Sequence, residues 1–363
     1  MPDAAHRSDA TADEERVDLT GGFDPARELV LPGRPDDPEM RDSVNVWLWD
    51  DGVDVGFPRI GVEAVGEHWD AHEIQFNCSF ADGRVLTMWG RAESHGAAGA
   101  DGRPRHLGTG PLAFDLVEPF LRWHLHLDGP ATETSVRRQL DGWLPYGGDG
   151  EQVPVTLDVE IRSAAPPWEC GTLREEAGRV LATQEEGAMM GGPRYEQLFR
   201  AEGRFTVDGR DRPIHGGGLR VRRTGVRRLA TFRGHVWQSA VFPSGRAFGL
   251  NTYPERDDGT PTFNEGYVYE GTGRLRAARV VQAPWLRRLT TRPEEVTTVL
   301  ELDDGSTTTI TGTMVLPTYT VMPPSVGGGL NLNQAIATYT WDGETANGML
   351  ERSAAGATLT VEA

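Results

Sequence analysis

The densest concentration of reactive and aromatic side chains lies between Tyr195 and Tyr269. It comprises Tyr195-Glu196-Gln197, the arginine-rich run Gly218-Leu-Arg220-Val-Arg222-Arg223-Thr-Gly225-Val-Arg227, then Gly234-His235-Val-Trp237-Gln238, and finally Asn264-Glu265-Gly-Tyr267-Val-Tyr269. Side chains alternate along a strand, so His235 and Trp237 share one face, as do Glu265, Tyr267 and Tyr269. If that face lines a barrel interior, an imidazole, a carboxyl and aromatic walls meet in one pocket. Burial raises a carboxyl pKa, which suits Glu265 to donate a proton to an alkene or carbonyl; protonated His235 is the other candidate acid. Aromatic faces would stabilise the positive charge that develops. A purely structural reading stands beside this one, in which Arg220, Arg223 and Arg227 pair with Glu196 or Glu265 and the aromatics fill a core.

Other chemistries find less support. His124 and His126, two apart on a strand, would project from one face as a zinc chelate requires. A hydrogen-bonded or solvent-facing role is the stronger reading, His68 and His72 lack the helical context of a zincin motif, and no metal is expected. No Gly-x-Ser-x-Gly elbow occurs, and neither Cys78 nor Cys170 sits in a motif. Gly216-Gly-Gly218 and Gly327-Gly-Gly329 lack the strand-to-helix spacing of a dinucleotide fingerprint and read as loops. All 36 basic residues are arginine, which excludes Schiff-base, pyridoxal phosphate, P-loop and kinase chemistry, each of which needs a lysine. A formal charge of −18 argues against nucleic acid as a partner. The chemistry expected is therefore cofactor-free.

The elements that must position these residues are short and β-like. Val44 to Trp49 runs into Asp50-Asp-Gly52, Glu73 to Phe80 into Asp82-Gly83, Arg122 to Leu127 into Asp128-Gly129, Phe199 to Val207 into Asp208-Gly209, and Ala335 to Trp341 into Asp342-Gly343. Alternating or aromatic-rich runs ending at such turn pairs read as antiparallel strands joined by tight turns. Many evenly spaced strands favour a sandwich or a closed barrel, and closure removes exposed edges. Only Pro111 to Leu121 and Leu173 to Glu186 carry weak helical signals. Phe80-Ala-Asp-Gly83-Arg84 and Phe242-Pro-Ser-Gly245-Arg246 share a Phe-x-x-Gly-Arg form at an offset of 162 residues, about one small barrel, so duplication is worth testing. Ala164-Ala-Pro-Pro167 reads as a linker. With 363 residues and two cysteines, one or two domains in a reducing compartment are expected. The polar N-terminus shows no signal-type apolar region and no run reaches the ~18 apolar residues of a membrane span, so a cytoplasmic location is expected.

The segment Gly110-Pro-Leu-Ala-Phe-Asp-Leu-Val-Glu118-Pro119-Phe-Leu-Arg122-Trp123-His-Leu-His-Leu-Asp128-Gly129, with Tyr195-Glu196-Gln197, Gly218-x-Arg220, Gly225-x-Arg227 and Trp237, resembles bacterial proteins of the double-lipocalin superfamily. That superfamily includes carotenoid 1,2-hydratase, AttH-like proteins and fungal lipocalin-like Diels–Alderases. The resemblance implies an all-β fold of two tandem antiparallel lipocalin-like β-barrels packed side by side, one at 23–165 and a second at 166–363, and the Asp, Glu, Ala and Arg that dominate the start of the chain make residues 1–22 an expected disordered tail. It also implies an apolar substrate held at a barrel mouth or between domains. His235-Val-Trp237 matches the His-x-Trp pair implicated in protonating an isoprenoid double bond in the hydratases. Where close relatives read Gly-x-Arg-Asp-x-Ser-Trp-Gly, this chain has Val221 and Thr224 in place of the Asp and the Trp, which weakens any shared catalytic role of that segment.

These readings combine into a cofactor-independent lyase, isomerase or cyclase, of hydratase or cyclase type, acting on an isoprenoid, steroid or polyketide-like molecule. His235, Glu265 and Tyr267 would be catalytic; Trp237, Tyr269, Trp123, Glu196 and Arg220 would contact substrate. Holding a flexible polyene in a reactive conformation would itself contribute several kcal/mol, roughly. A carrier using the same cavity, and a protein whose barrels are simply filled, remain the alternatives, and a homodimer is left open. A cavity faced by both His235 and Glu265 would favour the enzyme; apolar walls alone would favour the carrier.

Overall fold

The structure, a computed structural model, describes residues 17–183, 185–186, 193–226, 232–260, 262–322, 329–355 and 359–362. Eleven strands precede residue 227: β1 (Met40–Asp50), β2 (Val55–Val65), β3 (Ala71–Phe80), β4 (Arg84–Glu93), β5 (His106–Thr109), β6 (Leu112–Glu118), β7 (Arg122–Ser135), β8 (Gln152–Ser163), β9 (Trp168–Glu169), β10 (Arg194–Val207) and β11 (Arg210–Val226). Eleven more follow: β12 (Gly234–Val241), β13 (Ala247–Thr252), β14 (Asn264–Tyr269), β15 (Arg276–Gln282), β16 (Arg288–Thr290), β17 (Glu294–Glu295), β18 (Thr298–Leu302), β19 (Thr307–Thr320), β20 (Leu330–Trp341), β21 (Glu344–Ala355) and β22 (Thr360–Glu362).

Two barrels result. In the first, β4-β3-β2-β1-β11-β10-β8-β7 are neighbours in that order, and a β4–β7 pairing closes the ring of eight. In the second, β19-β18-β15-β14-β13-β12-β21-β20 are closed by β19–β20. The fold is all-β and antiparallel in both, as expected. Alternation of side chains builds the walls: on β8, Val153, Val155, Leu157, Val159 and Ile161 point inward between exposed or half-buried neighbours. The Asp-Gly turns behave as read, with Asp208 and Gly209 both at positive φ (53° and 68°) in the tight turn that suits the right-handed twist of a hairpin.

Each barrel is filled by its own side chains. Phe57, Phe76, Phe114, Leu125 and Phe205 belong to the core of the first, and Phe242, Phe248, Leu300, Tyr339 and Leu350 to that of the second. A third cluster lies outside both, in the seam between them, built from Trp47, Trp49, Leu219 and Val221 of the first barrel, Trp237, Tyr267, Tyr269 and Met349 of the second, and Trp168 and Cys170 of the connecting segment.

Several expectations are corrected. The first barrel does not end at residue 165, because β10 and β11 pair with β8 and β1 and supply two of its eight staves. Without them Met40–Asp50 and Gln152–Ser163 would be open edges. Ala164 to Pro167 is not a free linker: Ala165, Pro166 and Pro167 are buried, and β9 pairs with β10. Of the expected tail, residues 1–16 lie outside the described residues, whereas 17–22 are packed: Val17 touches the seam cluster, and Gln197 donates to the Leu19 carbonyl at 2.9 Å. Pro111 to Leu121 forms strand β6, not a helix, since Leu112, Phe114 and Leu116 alternate into the core. Of the stretch Leu173 to Glu186, Leu173 to Thr183 forms turns and a bridge, and among its described residues only Glu185 and Glu186 are helical. Gly216-Gly-Gly218 lies within β11, where a Cβ on Gly218 would stand 2.0 Å from Phe199 Cζ and 2.4 Å from the Trp47 carbonyl. The two Phe-x-x-Gly-Arg turns share geometry, but one joins β3 to β4 and the other β12 to β13, which are the third and fourth strands of one barrel and the first and second of the other. Their offset therefore does not mark equivalent places.

Candidate active site at the seam between the barrels

The outer face of the second barrel presents His235 and Trp237 from β12 and Glu351 and Ser353 from β21. Register explains the grouping, because His235 pairs with Ser353 and Trp237 with Glu351. Val236, between His235 and Trp237, and Leu350, next to Glu351, point into the barrel, so this face looks toward the first barrel, not into an interior as the sequence pattern suggests. His235 is buried and engaged at both ring nitrogens: Nδ1 lies 2.6 Å from Ser353 Oγ and Nε2 lies 3.2 Å from Glu351 Oε1. Burial pushes the Glu351 carboxyl up, but the His235 contact, the Arg59 charge and the Gln334 hydrogen bond more than offset this and hold it below its usual range. Gln334 Nε2 donates to Glu351 Oε2 at 2.7 Å, and Asn77 of the first barrel donates to Gln334 at 3.2 Å. With Nε2–H donating to the Glu351 carboxylate, Nδ1 is the ring atom left to accept from the Ser353 hydroxyl.

Glu196 and Glu265 sit deeper in the seam. Trp237 Nε1 donates to Glu196 Oε2 at 2.9 Å, Arg194 Nε to Oε1 at 3.0 Å, and Cys170 Sγ to Oε1 at 3.3 Å. Burial raises the Glu196 carboxyl despite Arg194, and it pushes the Cys170 thiol well up. Glu265 accepts from Trp168 Nε1 (2.9 Å), the Gly171 amide (2.6 Å) and the Leu173 amide (2.9 Å). Burial nevertheless pushes its pKa up to about 7. Tyr267 packs edge-on against Trp168 with ring centroids 5.4 Å apart, Tyr269 is buried in the seam cluster, and burial raises both phenols. Arg194 lies over the Trp237 ring at 5.2 Å, and Trp237 packs on Trp47 at 4.8 Å.

Trp123 and Arg220 are elsewhere. Both point toward the interior of the first barrel, where Glu28, on a short 3₁₀ turn (Pro25–Glu28), accepts from Trp123 Nε1 at 2.7 Å, Arg220 Nη1 at 2.8 Å, the Phe120 amide at 3.1 Å and the Tyr195 hydroxyl. Arg222 pairs with Asp42 in the same barrel. Arg223 lies on β11, and Arg227 falls outside the described residues.

Among the described residues, three clefts open at the surface. One of about 570 Å³ is lined by Phe232, Trp285, Leu286, Leu330, Ser353 and Arg287, among others. An adjoining one of about 440 Å³ shares Pro254 and Trp285 with it, and one of about 380 Å³ is lined by Arg27, Tyr195 and Arg222, among others. Ser353 thus joins the His235 network to open space, while Glu265, Tyr267, Glu196 and Trp237 line none of the three. Among the described residues no group of three or more His, Cys, Asp and Glu side chains is arranged to hold a metal ion. His124 and His126 face Asp158, at 3.1 and 3.5 Å. Sequence reasoning missed Ser353 and Glu351, although Glu351-x-Ser353 carries the two-residue spacing of a shared strand face, as well as Glu28, which fell next to an expected tail.

Comparison with solved structures places the architecture. An AttH protein (NE1406) from Nitrosomonas europaea is similar at 16% identity and a TM-score of 0.53, over 90% of this chain and 98% of that one. CghA, solved with Sch210972, is similar at 12% identity and a TM-score of 0.50, over 93% and 97%. At these identities the likeness is one of fold. No curated protein matches the sequence. Its family is given instead by a match over residues 24–355, nearly the whole double barrel, and the chain belongs to DUF7064, described as a domain of unknown function.

Proposed function

We propose that the chain is a cofactor-independent acid/base catalyst, of the lyase, cyclase or hydratase type, acting on an apolar molecule in the 570 Å³ cleft. The observation that carries this is the chain of contacts from Glu351 through His235 to Ser353, which ends at that cleft. In the neutral state Ser353 donates to Nδ1, so a proton leaving the substrate reaches the imidazole through the hydroxyl. Once protonated, His235 returns a proton by the same route. Glu351 supports the imidazolium with its charge, and such positioned proton transfer contributes roughly 10²–10⁴-fold. Phe232, Trp285, Leu286 and Leu330 give the cleft an apolar wall, and its size is within the range of about 300–1,000 Å³ that encloses small ligands. The similar fold of CghA, solved with Sch210972, supports an architecture that takes up a small molecule. Glu265, which accepts from three donors and lines none of the three clefts among the described residues, anchors the Trp168–Leu173 turn in this reading, with Tyr267 packed beside it. A lipocalin-type carrier is less favoured, because its ligand would occupy a barrel interior and both interiors are packed with side chains.

The test begins with extraction and mass identification of any apolar molecule that copurifies. That molecule is then incubated with the protein in D₂O. Turnover with uptake of solvent deuterium, reduced about 100-fold or more by His235→Gln, supports the reading; an unchanged compound, or equal turnover by the variant, overturns it.

A further inference from the structure

We propose that Ser353 is also a nucleophile, so that the same site carries an acyl-transfer activity toward apolar esters. The inference rests on the cleft and relay described above, but it asks more of them: formation of a covalent bond at Oγ. An activated serine needs a base within hydrogen-bond reach and a third group orienting that base. Here the base is His235, with Nδ1 2.6 Å from Oγ, and the orienting group is Glu351, 3.2 Å from Nε2. All three are buried, at 3%, 1% and 3% exposure for Ser353, His235 and Glu351, which shields the base from bulk water.

The arrangement follows from strand register. His235 and Ser353 are directly opposed across β12 and β21, while Glu351 is two residues before Ser353 on the same face, so the geometry needs no loop to hold it. The cleft supplies what the three residues lack. Its apolar wall suits an aryl or alkyl group, and Arg233 and Arg287 also line it. Arg233 is tied to Asp257 at 2.6 Å, whereas Arg287 is exposed and supplies positive charge for an oxyanion.

In the step proposed, Oγ attacks the carbonyl carbon of the ester and its proton passes to Nδ1. The tetrahedral intermediate collapses, the C–O bond to the leaving alcohol breaks, and that oxygen takes the proton from Nδ1. Water then attacks the acyl-serine with His235 as base, releasing the acid and restoring Ser353. No oxidation or reduction occurs, and water is the only co-reactant.

The experiment treats the full chain with a small fluorophosphonate, which adds to an activated serine with loss of fluoride, and reads intact mass followed by a peptide map. The expected result is one adduct, mapped to Ser353 in the wild-type protein, formed about 100-fold more slowly or less in His235→Gln and absent in Ser353→Ala, with 4-nitrophenyl ester hydrolysis lost in parallel. No adduct, or an adduct mapped to another serine, overturns the nucleophile. Because the map is made on the unmodified protein, it does not depend on a variant folding. If deuterium uptake by the copurified molecule persists while Ser353 takes no label, acid/base catalysis stands and the nucleophile is overturned, leaving Ser353 as a relay alone. A labelled Ser353 with no deuterium uptake supports acyl transfer and overturns the acid/base reading.

Discussion

Glu28→Gln isolates what Trp123 and Arg220 do. Glu28 is fully buried and accepts from Arg220, Tyr195, Trp123 and the Phe120 amide. Burial alone would raise its carboxyl, yet the Arg220 charge and these donors more than compensate and hold it below its usual range. Glutamine keeps the shape and removes the charge, leaving the Arg220 guanidinium buried without an anion. Breaking one partner of a buried ion pair costs about 3–5 kcal/mol. Arg220 keeps its bond to Gln197 Oε1 at 2.9 Å and its position over the Trp123 ring at 5.1 Å, which argues for the lower end. At roughly 2–4 °C per kcal/mol for a unit of this size, the expected fall in Tm is about 6–12 °C for a loss near 3 kcal/mol. The paired change Glu28→Gln/Arg220→Met removes both charges and should recover most of that loss, since a buried pair replaced by apolar groups is often neutral. The pH dependence has a definite sign: a carboxyl held below its unfolded pKa of 4.5 contributes stability that is present above pH 4.5 and lost as pH falls through the folded value. The assay is thermal unfolding followed by circular dichroism, for wild type, both singles and the double. A single-variant loss under about 1 kcal/mol, well below the cost of an orphaned buried charge, or a double variant as unstable as the single, would refute the reasoning and return Arg220 to the candidate ligand-binding groups.

Other expectations follow from single contacts. Glu351→Gln removes the charge that orients His235 and should slow any proton-transfer turnover about 10²-fold or more, measured against wild type at matched folding by circular dichroism. Gly218→Ala drives a Cβ into Phe199 and the Trp47 carbonyl; overpacking of this kind costs about 1–3 kcal/mol, and an unchanged Tm would contradict the close β1–β11 approach. Glu265, raised from 4.5 to about 7, favours its protonated form in the fold, so its contribution is full below pH 4.5 and declines by about 3 kcal/mol as pH rises to 7. Denaturant titrations at pH 5 and 8 should show that slope in wild type and not in Glu265→Gln, and identical slopes would count against it.

What could be read from the chain, and what could not, divides along a physical line. Strands and tight turns are local, and Asp208-Gly209 and the alternation of β8 declared themselves through residue type. That His235 and Trp237 share a face is equally local. Which way the face looks is not, because every residue of β12 is buried: one side packs the barrel and the other packs the seam, so no polar side remains to tell inside from outside. The same loss of contrast hid Ser353 and Glu351 on β21. Barrel closure was illegible for a different reason. Met40 pairs with Val226, and nothing in β10 or β11 announces that these strands return to the first barrel and not onward to the second. Arg220 shows the consequence. Its neighbours Leu219 and Val221 face the seam, so Arg220 faces the barrel, where its anion arrives from Glu28, 192 residues earlier. An arginine read as part of a substrate site is thereby the fastening of the N-terminal segment, and the residues proposed to do chemistry, His235 and Ser353, are those whose network reaches a cleft.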